Sequence, residues 1–266
     1  LAQFHLENMD VTAARDARAR LGGVDTYLVV GPYENTGGGS FSSSTPVESA
    51  TAVDGTYDGL SRSVGWHRVA DAGPDGVLNL HDHVWPSDDV LAYALAFVFS
   101  PVEQDAALRV GASDQVAAWV NGQQVLDVDG VRALGMDQHV AAIRLARGWN
   151  RLRLKLGQVR GAWRVLSRVG GPNGGPLEGV TFSSDASVAA EAFAAPALRP
   201  VLPPTDLLAE LALRARTAQA ADGQPWMDLY WARAHLHADD DRQVPPERHA
   251  ALLEVLRVDK RHAGAL

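Results

Sequence analysis

Val90-Leu91-Ala92-Tyr93-Ala94-Leu95-Ala96-Phe97-Val98-Phe99 alternates bulky side chains with alanine and valine. After it come Gly111-Ala112-Ser113-Asp114, Trp119-Val120-Asn121-Gly122 and Gly148-Trp149-Asn150-Arg151-Leu152-Arg153-Leu154-Lys155-Leu156. The side-chain period is two and turn residues separate the runs, which specifies antiparallel β-structure. In the first run Leu91, Tyr93, Leu95, Phe97 and Phe99 share one face. The other face is alanine and valine, so both faces are expected to be covered, as in a central strand. In the last run Leu152, Leu154 and Leu156 are predicted to point inward, with Arg151, Arg153 and Lys155 toward water. Asn121-Gly122 marks a two-residue hairpin, because both positions of a type I′ turn need positive φ.

Working outward, further strands are predicted at 25–30, 64–69, 77–80, 106–110, 116–120, 125–128, 140–145 and 163–169, with Gly31-Pro32 closing the first. Many short strands without intervening helices point to a mainly β chain folded as a sandwich or barrel. The chain before them, 1–22, reads as one N-terminal helix with Phe4, Leu6, Met9, Ala13, Ala17 and Leu21 on a stripe and Gly22-Gly23 as the stop. It has the character of the end of a preceding helical repeat. The β-unit spans 23–182. Residues 183–204, rich in Ala, Ser and Pro, read as a linker over the surface. Residues 205–266 carry three short amphipathic helices, a small repeat-like helical domain.

Composition narrows the function classes. The 266 residues are 46% hydrophobic and 21% charged, as in an ordinary globular protein. The formal net charge of −8 argues against a nucleic-acid partner. No apolar run approaches the roughly 20 residues of a transmembrane helix. With no cysteine there is no thiol nucleophile and no Cys-ligated zinc.

The β-region carries a resemblance to a known family. Tyr27-Leu28-Val29-Val30-Gly31-Pro32-Tyr33-Glu34-Asn35 resembles the opening of galactose-binding-like jelly-roll β-sandwich domains of large bacterial envelope or secreted proteins. Thr56-Tyr57-Asp58-Gly59 with Trp66 is similar to the next block. The Gly111–Asp114 and Trp119–Gly122 pieces resemble that family's hairpin, and Gly148-Trp149-Asn150 its turn into a core strand. Gln115 departs from the pattern, which often has a second aspartate there. The resemblance implies a jelly roll, flanking tetratricopeptide-like helices, a periplasmic or secreted location and an accessory or binding role beside other domains of the same polypeptide. Fold resemblance does not transfer ligand specificity.

Candidate site residues are few. Trp66 and Trp85 are candidate ligand-binding aromatics, since a sugar ring presents apolar C–H faces to an indole. Trp119, Trp149 and Trp163 sit within strand patterns and are expected in the core. Asp114 is a candidate ligand for calcium or a sugar hydroxyl, weighed against capping its own turn. His81 and His83 would project from one face of an extended segment and form a weak metal candidate without an evident third ligand. Gly37-Gly38-Gly39-Ser40 lacks the Lys and the helix start of a P-loop and reads as a mobile loop. No Gly-x-Ser-x-Gly elbow surrounds Ser42, Ser43 and Ser44. The expectation is a non-catalytic binding or scaffolding module for a carbohydrate or protein ligand, without a cofactor. The alternatives are an accessory part of a hydrolase or peptidase with its active site outside this chain, and a purely structural spacer.

Overall fold

The computed structural model describes residues 8–205, 207–217 and 224–236, together with 250, 253–255 and 257. In chain order the elements are α1 (Val11–Arg20), β1 (Gly23–Val24), β2 (Tyr27–Glu34), α2 (Pro46–Ser49), β3 (Thr56–Asp58), β4 (Ser63–Gly65), β5 (His67–Val69), β6 (Leu78–Asn79), β7 (Val90–Ser100) and β8 (Gln104–Ala112). They continue with β9 (Val116–Val120), β10 (Gln123–Val128), β11 (His139–Leu145), β12 (Gly148–Gln158), β13 (Arg164–Gly170), β14 (Thr181–Ser183), α3 (Ala189–Ala194), α4 (Leu207–Thr217) and α5 (Gln224–Leu236). The chain is mainly β and antiparallel, with an N-terminal helix and C-terminal helices.

One sheet runs β1-β13-β8-β11, with β6 also paired to β13. The other runs β10-β9-β12-β7-β2-β5, with β14 on β7 beyond the end of β2. β7 is the central strand that its two apolar faces predict. Its small face, Val90, Ala92, Ala94, Ala96 and Val98, joins the core shared by the two sheets. Leu152, Leu154 and Leu156 of β12, Leu108 and Val110 of β8, Ile143 and Leu145 of β11, and Trp163 belong to the same core. Alanines on one strand beside leucines on the next let the layers interdigitate. The bulky face points outward: Leu91 and Tyr93 pack with Val47 and Val64, while Leu95 and Phe97 pack with Ala189 and Ala192 of α3.

Asn121 and Gly122 have φ of 49° and 84°, and they join β9 to β10 as the type I′ expectation requires. Gly31-Pro32 does not close its strand. β2 continues to Glu34 through a bulge between Val30 and Tyr33, which absorbs the proline that a regular ladder excludes.

The predicted helix over 1–22 is shorter. Asp10 accepts a hydrogen bond from Ala13 N and starts α1, Met9 before it has φ 60°, and residues 1–7 lie outside the described residues. Residues 183–204, expected as a linker, hold the end of β14 and α3 and are packed on the sandwich. Ala189 and Ala192 are buried, Asp105 accepts from Val201 N and Leu202 N, and Asn121 donates to the Pro196 carbonyl. Further on, α4 and α5 share a small cluster built on Ala215 and Leu229. The third expected helix, after Pro245-Pro246, falls largely outside the described residues.

Arg153 and Lys155 correct the expectation that they face water: they are 6% and 3% exposed. The period of two identifies their face correctly, but that face is roofed by the 41–49 segment through Phe41 and Val47. Trp119 and Trp149 are likewise half-buried on the outer face, and only Trp163 lies in the core as expected. Arg153 stands opposite Trp119 across β12–β9, with its guanidinium 4.8 Å from the ring centre.

Candidate functional site

Three places gather the polar and aromatic side chains from which a site could be built. The first is the loop rim at the β8–β9 turn. Asp114 takes φ 64°, is 2% exposed, and accepts from Val159 N at 3.3 Å. Burial pushes its carboxyl above the ordinary value, so the position binds turn to neighbouring loop and does not present an anion to solvent. Gln115 accepts from Asn35 Nδ2 at 2.9 Å and donates to the Gly38 carbonyl at 3.0 Å and to Asp129 Oδ1 at 2.7 Å. Gly37 N donates to Asp89 Oδ1 at 2.8 Å. The glycine run that reads as a mobile loop is therefore pinned at both Gly37 and Gly38. Where the resembled pattern often has a second aspartate, this chain has an amide that stitches three loops together.

The second place holds the tryptophan and histidine candidates. Trp85 is 73% exposed, while Val84 before it is buried. Its carbonyl accepts from Arg62 Nη2 at 3.2 Å, which fixes the loop to the β3–β4 turn. Trp66 is different: it is half-buried between the two outer-face clusters, and its indole N–H is buried with no acceptor among the described residues. His81 and His83 are not on an extended segment. A 3₁₀ turn over Leu80–Asp82 sends them apart. His81 Nε2 lies 2.8 Å from the Gly161 carbonyl, and the His83 ring sits 6.2 Å from that of His67. Burial, with His83 adding to it, holds the His67 imidazole below its ordinary pKa. Among the described residues no three His, Asp or Glu side chains gather as a metal site.

The third place is the roofed outer face, which sequence reasoning missed. Lys155 Nζ donates to Glu48 Oε1 at 2.8 Å and to the Ser43 carbonyl at 2.6 Å. Tyr93 Oη donates to the same Glu48 oxygen at 2.5 Å and accepts from Thr45 Oγ1 at 2.8 Å. Arg153 Nη1 donates to the Glu48 carbonyl at 2.6 Å. Burial pushes the Glu48 carboxyl up, but the hydrogen bonds from Lys155 and Tyr93 and the neighbouring positive charges outweigh it and leave it below its ordinary value. Lys155, Tyr93 and Arg153 Nη1 all bond to the roof, which clamps the 43–48 segment onto the sheet, while Arg153 Nε is buried with no acceptor among the described residues. The signal that could have found it is two cations in adjacent outward positions of a strand flanked on both sides.

No protein-family model and no curated protein matches this chain. Among solved structures, the PA14 domain of the MpAFP antifreeze protein is similar at 16% identity and a TM-score of 0.23, over 36% of this chain and 44% of that one. A β-glucosidase from Kluyveromyces marxianus is similar at 12% identity and a TM-score of 0.36, over 87% of this chain and 23% of that one. An α-xylosidase from Xanthomonas citri is similar at 7% identity and a TM-score of 0.31, over 55% and 15%. The chain thus spans less than half the length of each. Likenesses this low carry neither fold nor function across, and the sandwich rests on its own sheets and core. Among the described residues no helix is long and apolar enough to cross a membrane.

Proposed function

We propose that this chain is a non-catalytic binding module of a larger bacterial protein, and that it meets a carbohydrate at the loop carrying Trp85. One observation carries the reading: a tryptophan 73% exposed on a loop whose backbone is held in place by Arg62 and by buried Val84. An indole left in water forgoes much of the large burial that tryptophan ordinarily gains. A rigidly mounted one offers an apolar face against which the C–H side of a sugar ring stacks, at little further ordering cost. The galactose-binding-like jelly roll and the tetratricopeptide-like flanks of the sequence resemblance agree with an accessory role.

A glycan array probed with the full chain tests it, followed by titration of the strongest glycan against Trp85→Ala. The reading expects a saturable glycan signal that Trp85→Ala weakens at least about tenfold, the scale of an aromatic anchor at an interface. An array without binding, or binding that Trp85→Ala leaves intact, overturns it. Turnover of a hydrolase substrate panel by the isolated chain would overturn the non-catalytic part.

A further inference from the structure

A cavity of about 490 Å3 lies between α1 and the outer face of the β1-β13-β8-β11 sheet. Ala17 and Leu21 line it from the end of the helix, Leu166 from β13, and Met136 from the segment before β11. These walls are apolar, and the volume falls in the range of sites that enclose small molecules, roughly 300–1,000 Å3.

Its charge is unbalanced. Arg109 and Arg168 are direct partners across the β8–β13 ladder, an arrangement of like charges that destabilises a sheet. Asp137 answers one of them: Arg168 Nε sits 2.8 and 3.1 Å from its two carboxylate oxygens. Arg109 is 5% exposed and donates only to backbone in the bonds resolved, to the Gly171 and Pro172 carbonyls at 3.2 and 3.1 Å. Arg18, at the helix side, donates to the Gly73 and Pro74 carbonyls at 3.4 and 3.2 Å, and its Nε is buried with no acceptor. Among the described residues neither Arg18 nor Arg109 forms an ion pair. Carbonyls solvate a guanidinium without neutralising it; burial lowers the pKa of both groups, with Arg168 adding to the effect at Arg109, while Asp25, Asp75 and Asp71 act on Arg18, and Asp137 on Arg109, in the opposite sense without closing an ion pair. With Arg20 and Asp75 the lining carries four cations and two carboxylates.

We infer that this cavity binds an amphipathic anion: one carboxylate, balanced by Arg18 and Arg109, on an apolar body that fills the space beside Ala17, Leu21, Met136 and Leu166. The apolar walls favour an apolar body over a sugar, whose hydroxyls they would leave unpaired. Forked guanidinium donors suit the carboxylate geometrically. This site is separate from Trp85.

The test is calorimetric titration of the full chain with decanoate and, in parallel, with decan-1-ol. Decanoate is expected to bind at one site, and the alcohol at least about tenfold more weakly, because it lacks the charge-assisted bonds. Leu166→Trp, which fills the cavity, abolishes binding; Arg18→Met weakens it to the level of the alcohol; Trp85→Ala leaves it unchanged. Methyl NMR of the unmutated protein needs no variant to fold: decanoate shifts the Met136 methyl and leaves those of Met9 and Met227 in place. No binding at low-millimolar decanoate, equal affinity for the alcohol, or a shift that spares Met136 overturns the inference.

Discussion

Removing the Glu48 carboxylate tests whether the roofed face is a structural clamp. In Glu48→Gln, Lys155 Nζ loses its 2.8 Å ion pair and keeps the Ser43 carbonyl at 2.6 Å. The ammonium cannot escape to water, because its side chain is 4% exposed. Breaking one partner of a fully buried pair costs about 3–5 kcal/mol. Here one strong acceptor remains, and the Lys155 ammonium lies 5.5 and 5.7 Å from the Phe41 and Tyr93 ring centres, so about 2–3 kcal/mol is expected. Lys155→Met removes the charge while keeping the stem, and leaves Tyr93 as the hydrogen-bond partner of the Glu48 carboxylate. With the Tyr93 hydrogen bond and the nearby Arg153 charge still in place, it is expected to cost about 1–3 kcal/mol. The double variant removes both charges of the pair and shares with Glu48→Gln only the loss at Arg153, so it should lose less than the sum of the singles by at least about 1 kcal/mol. Urea unfolding followed by tryptophan fluorescence reads this as a shift in midpoint at constant slope. Single variants that each cost under about 0.5 kcal/mol, with an additive double, would mean the pair behaves like an exposed salt bridge and the clamp is wrong.

The same pair sets a pH dependence. The Glu48 carboxyl is depressed in the folded protein, so its contribution is present above the unfolded value of about 4.3 and fades as pH falls through the folded one. Between pH 6 and pH 3 the urea midpoint of the unmutated protein should therefore fall further than that of Glu48→Gln. Asn150→Ala should destabilise by about 3 kcal/mol or more in the same assay, because several buried backbone groups lose partners at once. Its amide bonds Ala146 N and O, Asn121 Nδ2 and the Gly148 and Val98 carbonyls. Gly111→Ala should lower the thermal midpoint, at a cost of about 1–3 kcal/mol, since its Cβ would lie 1.7 Å from the Gly135 carbonyl oxygen. Trp85→Ala should change stability by less than about 0.5 kcal/mol, as expected of an exposed side chain.

The strands were legible because alternation survives in each, and Asn121-Gly122 carries its turn in its own backbone preference. What alternation cannot tell is what covers a face. Arg153 and Lys155 look like solvent-facing residues because their cover comes from a glycine- and serine-rich segment far away in sequence, whose buried apolar side chains are Phe41 and Val47 and whose other anchors are polar. Trp119 and Trp149 sit in strands as expected, but strand membership does not decide between core and outer face. Trp85, beside Pro86 and outside any apolar pattern, was readable as exposed. The helix start at Asp10 was also written locally, as a capping residue ahead of Val11, yet the longer apolar stripe obscured it. The cavity beside α1 was invisible, since Arg18, Arg109 and Arg168 meet only when the helix and two strands pack together.

Carbohydrate binding through Trp85 can be read at the indole itself. The chain has seven tryptophans, and the indole N–H signals in a 15N-correlated NMR spectrum report each of them separately. During titration with a glycan selected on the array, the signal missing from Trp85→Ala is expected to move furthest, while that of Trp163, buried in the core, stays in place. Movement centred on another indole, or none at saturating glycan, would contradict it.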